Sequence, residues 1–167
     1  VIAIMNESFT DMAATGDGSI TLSQDNLPFL HSLQKSGDVV WGTAYSSVYG
    51  GNTCNSEYEF LTGNTTAFLP TGSKPYQQYV DHQQTSLVSL LKDTYGYHCT
   101  AIHPGQASAW ERDEAYEYLG FDEFIDVTKF DVHRRLEHGL TSDLSSYNQV
   151  IYEYEHRDKD TPRFSST

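Results

Sequence analysis

Cysteine, basic residues and long apolar runs are scarce in this chain, and each shortage removes a class of protein. Two cysteines among 167 residues, Cys54 and Cys99, are too few for a disulfide framework and stand at no zinc-ligand spacing. Ten Lys and Arg face 23 Asp and Glu, a net charge of −13. So acidic a chain lacks the basic footprint that displaces counterions from nucleic-acid phosphates. For the same reason the chain itself is not drawn to anionic lipid. No stretch approaches the roughly 18 consecutive apolar residues of a membrane span. Absent too are a Gly-Lys-Ser/Thr phosphate loop, a His-Glu-x-x-His zinc motif, and the third glycine that Gly16-Asp17-Gly18 would need for a dinucleotide loop. What remains is 38 % hydrophobic and 13 % aromatic, enough to build a core and to exclude a disordered chain.

Val1 to Met5 is a short apolar run without alternation, which predicts a strand buried on both faces rather than a signal peptide. Asn26 and Pro28 open a helix with Leu30 and Leu33 inward and Gly37 as its stop. Val39 to Tyr45 reads as a second strand. Tyr49-Gly50-Gly51-Asn52 is a glycine turn into Thr53 and a helix ending near Gly63. Residues 64 to 84, rich in Thr, Gly, Pro and Gln, read as a surface loop. Thr85 then caps a helix with Leu87, Leu90 and Leu91 on one face, closed by Gly96.

Cys99 to Ile102 is a third strand, Trp110 to Leu119 a helix stopped by Gly120, and Glu123 to Val127 a further strand. Asp143 caps the clearest helix, whose Tyr147, Val150, Ile151 and Tyr154 recur at i, i+3, i+4 and i+7. The last strand follows Pro162. Strands alternating with helices predict an α/β fold, a mostly parallel sheet flanked by helices. A strand at the first residue and no closing turn after the last one suggest part of a longer chain. The acidic run from Glu111 to Asp126, opposed by Arg112, reads as a solvated face.

Ligands of an open parallel sheet gather at the carboxyl ends of its strands. Glu7 follows the first strand there, Thr53 the second and His103 the third, with Trp110 and Arg112 close behind. A carboxylate ligates a hard cation, a hydroxyl beside the cation can lose its proton and attack, and a guanidinium pairs bidentately with an anion. Each residue also has a plainer reading. Glu7 can be a solvated strand end, Thr53 a helix N-cap, Arg112 a surface ion pair with Glu111 or Asp113, and His103 a turn residue before Pro104. Cys54 is either a thiol nucleophile at a helix start or a small buried residue.

The run Y-G-G-N-T-C-N-S-E-Y-E-F-L-T-G-N at 49 to 64 closely resembles the nucleophile segment of the lipoteichoic acid synthase family. These are membrane-anchored phosphoglycerol transferases with the sulfatase and alkaline-phosphatase fold. Segments I-A-I-M-N-E-S-F at 2 to 9, P-F-L-H-S-L at 28 to 33 and L-P-T-G-S-K-P-Y-Q-Q-Y at 69 to 79 agree in the same order. So do A-I-H-P-G-Q-A-S-A-W-E-R-D at 101 to 113 and Y-L-G-F-D-E-F at 118 to 124. The resemblance implies that Glu7 binds a metal, usually Mn²⁺ with Mg²⁺ as an alternative, and that Thr53 is the nucleophile and also touches the metal. It implies that Trp110 and Arg112 hold glycerol phosphate, and it transfers no role to His103. No Cys-x-Pro-x-Arg or Ser-x-Pro-x-Arg of true sulfatases occurs, so a formylglycine mechanism is not implied.

The family's other metal ligands, an Asp-His pair, and a phosphate-contacting histidine in an Asn-His segment have no counterpart here. Residues 1–167 therefore read as the N-terminal portion of one sulfatase-like catalytic domain, inactive alone. The implied reaction of the parent protein moves glycerol phosphate from phosphatidylglycerol to a growing glycerol-phosphate polymer through a phospho-threonine. It takes place at the extracellular face of the bacterial cytoplasmic membrane, with the membrane anchor outside this chain. With water as acceptor the same scaffold would be a phosphodiesterase or phosphatase, and a catalytically silent anion-binding piece is the third reading.

Overall fold

A computed structural model describes residues 1–6, 9–12 and 21–167. Two compact units are distinguished, one of residues 6–45 and one of residues 1–5 with 46–167.

In the smaller unit, helix α1 (Pro28–Ser36) starts on the proline, whose missing N–H would have no helical partner there. It stops at Gly37, where φ is 79°. His31 ties the helix to the preceding loop, with Nδ1 2.7 Å from Asp25 Oδ1 and Nε2 3.0 Å from Asp11 Oδ2. The strand expected at Val39 to Tyr45 is not formed. No strand among the described residues pairs with this segment, and β-branched and aromatic residues favour a pleated backbone only where a neighbour takes up its N–H and C=O groups.

The larger unit begins with β1 (Ile2–Ala3) and continues through helices α2 (Thr53–Thr62), α3 (Pro75–Gln78) and α4 (Leu87–Tyr95). Next come β2 (His98–Ile102), α5 (Arg112–Leu119), β3 (Glu123–Ile125) and the hairpin strands β4 (Leu136–Glu137) and β5 (Leu140–Thr141). Helix α6 (Asp143–His156) and β6 (Arg163–Ser166) complete it. Four strands form a parallel sheet in the order β1-β6-β2-β3, with Ile2 beside Ser165, Cys99 beside Phe164 and Ile102 beside Ile125. The expected α/β architecture is therefore present.

Residues 99 to 102 of β2 are each no more than 1 % exposed, so this strand is buried on both faces. Alternation along it sends Cys99 and Ala101 into a cluster with Cys54, Tyr58 and Leu61 of α2, Val88 of α4, and Ala115 and Leu119 of α5. Ile102 joins Ile125 and Val150 of α6 in a second cluster. The sequence places two-sided burial on the first strand, yet Ile2 and Ile4 are about half exposed. The reason is that β1 has a neighbour on one side alone among the described strands.

Other departures share a cause: local polarity or periodicity was read without the partner. The segment 64–84 is no surface loop throughout, since Tyr76 and Val80 enter the core. Ser86, not Thr85, caps α4, accepting from Ser89 N–H at 3.0 Å while Ser89 Oγ accepts from Ser86 N–H at 2.8 Å. Val88 is then its buried residue and Leu90 faces outward. Ser142 rather than Asp143 caps α6, and the buried face is Ser145, Gln149 and Val150, with Ile151 and Tyr154 half exposed. Gln149 Oε1 accepts from the backbone N–H of Asp131 at 2.8 Å and of Val132 at 3.2 Å. A polar side chain thus docks this helix on loop backbone. His138 and Gly139, with φ 51° and 80°, make the two-residue turn of the unforeseen hairpin.

Glu59 of α2 gathers the chain on either side of its helix. Its carboxylate accepts from the hydroxyls of Ser46, Ser47 and Thr66, from Ser47 N–H at 3.3 Å and from Thr66 N–H at 2.7 Å. Burial opposes its ionisation, yet the bonds from Ser47 and Thr66 hold its pKa down to about 2 from an ordinary 4.5. A depressed carboxyl stabilises the fold above its unfolded value and stops doing so as pH falls through its folded one. Thermal unfolding followed from pH 4.5 down to pH 2 is expected to show a smaller loss of Tm in Glu59→Gln than in the unaltered protein.

Candidate functional site

Thr53 is the first residue of α2. The chain enters through Gly50 (φ 68°), where glycine is favoured, and Asn52 (φ 97°), a residue type that tolerates the left-handed region better than most. Asn52 occupies the cap position and makes no side-chain cap bond. Thr53 is therefore not the N-cap, and it stands where the N–H groups and dipole of a ten-residue helix concentrate positive potential.

One helical turn later on the same face stands Glu57. Its carboxylate takes Arg112 in a fork: Nη2 donates to Oε1 at 2.6 Å and Nε to Oε2 at 3.2 Å. Arg112 Nη1 donates to Ala109 O at 3.2 Å, and the Tyr116 hydroxyl donates to Glu57 Oε2 at 2.9 Å. Arg112 is 1 % exposed, so the expected surface pair with Glu111 or Asp113 is replaced by a buried one with Glu57. Burial opposes the guanidinium charge, but Glu57 outweighs it and keeps Arg112 protonated. Burial, reinforced by Glu57, pushes the Tyr116 hydroxyl well above its ordinary range.

The helix expected from Trp110 begins instead at Arg112, because Trp110 (φ 63°) and Glu111 (φ 57°) are both left-handed. Two such non-glycine residues in a row cost on the order of 1–2 kcal/mol each. The surroundings impose the bend: Asp126 Oδ2 accepts from Ala107 N–H at 2.9 Å, and Asp113 N–H donates to Ala107 O at 3.2 Å. Trp110 lies partly buried with Lys74 Nζ 4.2 Å from its ring centroid.

His103, just beyond β2, has Nδ1 accepting from Gly105 N–H at 3.0 Å. That bond leaves the proton of the neutral ring on Nε2. Burial first, then the Arg112 charge, lowers its pKa and keeps the ring neutral. A Cβ on Gly105 would sit 3.0 Å from His103 Cε1, so any larger residue there would press on the ring.

Cys54 is fully buried, and burial first, then Glu57, pushes its thiol to about 11. The nucleophile reading of Cys54 fails on that ground. Asn55, also buried, holds Ser73 O through Nδ2 at 2.9 Å.

Glu7 lies outside the described residues. Among the described ones no group of three or more His, Cys, Asp or Glu could hold a metal ion, and these residues do not by themselves close a cation site. Next to the Glu57–Arg112 pair a cavity of about 300 Å³ is lined by Ala3, Ile4, Met5, Phe60 and Leu61 with Glu57 and Tyr116. The structure thus brings Arg112 and Trp110 onto one strained turn and couples Arg112 to the Thr53 helix. Glu57, Tyr116 and Lys74 were not foreseen. The only local signal was spacing, Glu57 four residues after Thr53 and Tyr116 four after Arg112.

The sulfatase family profile matches residues 1–166. Over 124 residues the chain is 41 % identical to a Rhizobium meliloti protein named for cyclic β-1,2-glucan modification, covering 74 % of this chain and 18 % of that one. It is 32 % identical over 107 residues to a lipoteichoic acid synthase of Staphylococcus saprophyticus, covering 63 % of this chain and 16 % of the synthase. A phosphoglycerol transferase of Streptococcus pyogenes, solved in complex with sn-glycerol-1-phosphate, matches with a TM-score of 0.70 at 25 % identity over 87 % of this chain and 38 % of that one. The chain spans less than a fifth of these two curated relatives.

The left-handed turn gives a direct test of stored strain. Glu111→Gly is expected to stabilise the protein by about 1 kcal/mol, because glycine adopts this conformation without steric cost, as read from the urea unfolding midpoint.

Proposed function

The chain belongs to the sulfatase family, and from that membership we propose that the protein it is part of transfers glycerol phosphate from a lipid headgroup to an acceptor hydroxyl. Relatives named as lipoteichoic acid synthases and a phosphoglycerol transferase support the reaction class. The observation that carries the reading is the placement of Thr53 at the start of the helix whose next turn grips Arg112.

In this proposal Thr53 Oγ1 loses its proton and attacks the phosphorus of phosphatidylglycerol. The phosphorus–oxygen bond to diacylglycerol breaks, the diacylglycerol oxygen takes up a proton, and a glycerophospho-threonine forms. An acceptor hydroxyl then attacks the same phosphorus, loses its proton and releases Thr53. Arg112 has three N–H groups committed to Glu57 and Ala109; a guanidinium carries five, and the others pair with phosphate oxygen. Trp110 packs on the glycerol. The dipole of α2 adds to the stabilisation of charge on the phosphoryl oxygens. A divalent cation, Mn²⁺ or Mg²⁺, bound by Glu7, Thr53 and ligands beyond these 167 residues, would neutralise phosphoryl charge.

The first acceptor is the end of a growing glycerol-phosphate polymer. A second is favoured by the 41 % identity to the protein named for cyclic β-1,2-glucan modification: a glucan hydroxyl, which makes a phosphoglycerol-substituted sugar by the same second step. With water in that place the enzyme is a phosphodiesterase. The proposed location is the extracellular face of the cytoplasmic membrane. Among the described residues no helix is long and apolar enough to cross a membrane; in this proposal the anchor lies outside them.

In the full-length protein Thr53→Ala is expected to abolish diacylglycerol release from phosphatidylglycerol, and undiminished release would remove Thr53 from the mechanism. Product analysis identifies the acceptor: polymer growth, phosphoglycerol-glucan, or free glycerol phosphate.

A further inference from the structure

We infer that Glu57 is a positioning residue, setting the orientation of the Arg112 guanidinium that meets the substrate phosphate, with Tyr116 fixing the Glu57 carboxylate. The inference rests on the proposed role of Arg112. An arginine side chain turns about several bonds, and a phosphate clamp is useful only if its plane is set in advance. Here the Nε edge is taken by both oxygens of Glu57, at 3.2 and 2.6 Å, while Nη1 is stopped by Ala109 O at 3.2 Å. Those contacts fix the plane; two of the five N–H groups lie outside them, and in the proposed reaction these meet the phosphate.

Stability is a weak reason for such a pair. Taking two charges out of water costs about as much as their attraction returns, and apolar residues of like size often serve as well. Arg112 and Glu57 are nonetheless 2 % and 12 % exposed at their side chains. Placement supplies the better reason. Arg112 follows directly on the strained residues Trp110 and Glu111, a poor reference for aiming a long side chain. Glu57 stands one rigid turn, about 6 Å along the axis, from Thr53. Holding Arg112 by Glu57 therefore ties the clamp to the helix of the nucleophile rather than to its own loop. Tyr116 reaches Glu57 Oε2 at 2.9 Å and competes with no anion, since its hydroxyl is turned to the carboxylate.

The test measures binding of sn-glycerol-1-phosphate by titration calorimetry to the full-length protein, with thermal unfolding as a check on folding. Arg112→Ala is expected to weaken binding about 100-fold and Glu57→Gln about 10-fold or more. In the Arg112→Ala background Glu57→Gln is expected to change nothing further, the signature of a residue acting through another. Independent, additive effects would overturn the inference. So would Glu57→Gln binding within twofold of the unaltered protein while Arg112→Ala does not. If Arg112→Ala itself binds normally, the phosphate role of Arg112 fails and the inference falls with it. Should Glu57→Gln not fold, Tyr116→Phe decides. A loss of about threefold or more, absent when Arg112 is Ala, supports positioning, and unchanged binding refutes it.

Discussion

A guanidinium withdrawn from water must keep its counter-charge within hydrogen-bonding reach, and Arg112 places that demand on two helices at once. Glu57 comes from α2 and Arg112 from α5, 55 positions apart, and neither can move without stranding the other's charge. Ala109 takes one further N–H of Arg112, and Tyr116 donates to the Glu57 carboxylate. The left-handed pair at Trp110 and Glu111 directly precedes Arg112, so α5 begins on the residue that makes the ion pair. Cys54 is drawn in as well: its thiol is kept protonated by burial and by the Glu57 charge. The neighbourhood of Thr53 is therefore electrostatically fixed before any ligand arrives.

The legible parts of the fold were those written in local chemistry. Pro28 and Gly37 bounded α1, Gly63, Gly96 and Gly120 closed three helices, and the β-branched and small residues of β2 announced a strand. What stayed hidden depended on a partner far along the chain. Val39 to Tyr45 has the composition of a strand and no ladder to join among the described residues. Ile151 and Tyr154 have helical spacing, yet α6 turns Gln149 inward because backbone N–H groups at Asp131 and Val132 need an acceptor. At the candidate site the same division holds. Thr53, Trp110 and Arg112 were visible through a run of residues resembling a known family. Glu57 went unnoticed because its meaning lies in Arg112, and no periodicity links two residues 55 positions apart.

The comparisons and the geometry bear on different halves of the chemistry. Relatives named for unlike polymers match this portion of chain, which fits the proposed role of the segment in activating a phosphate and forming the first bond. The acceptor, where the relatives' names diverge, would then be chosen by residues elsewhere in the protein. In the proposed reaction, a nucleophile on α2 with a fixed guanidinium beside that helix is compatible with several second steps, so diversity of product would need no change here.

The order of strands carries a consequence for synthesis. Among the described strands β6 lies between β1 and β2 and is the one ladder partner of β1. As the chain leaves the ribosome, Ile2 and Ala3 cannot pair until Ser165 and Ser166 have followed them out. Contacts of such long sequence separation form slowly, and unpaired strand edges are open to wrong partners meanwhile. The segment of Ile2 and Ala3 would thus stay an exposed apolar thread until β6 has been made, a natural substrate for a holding chaperone.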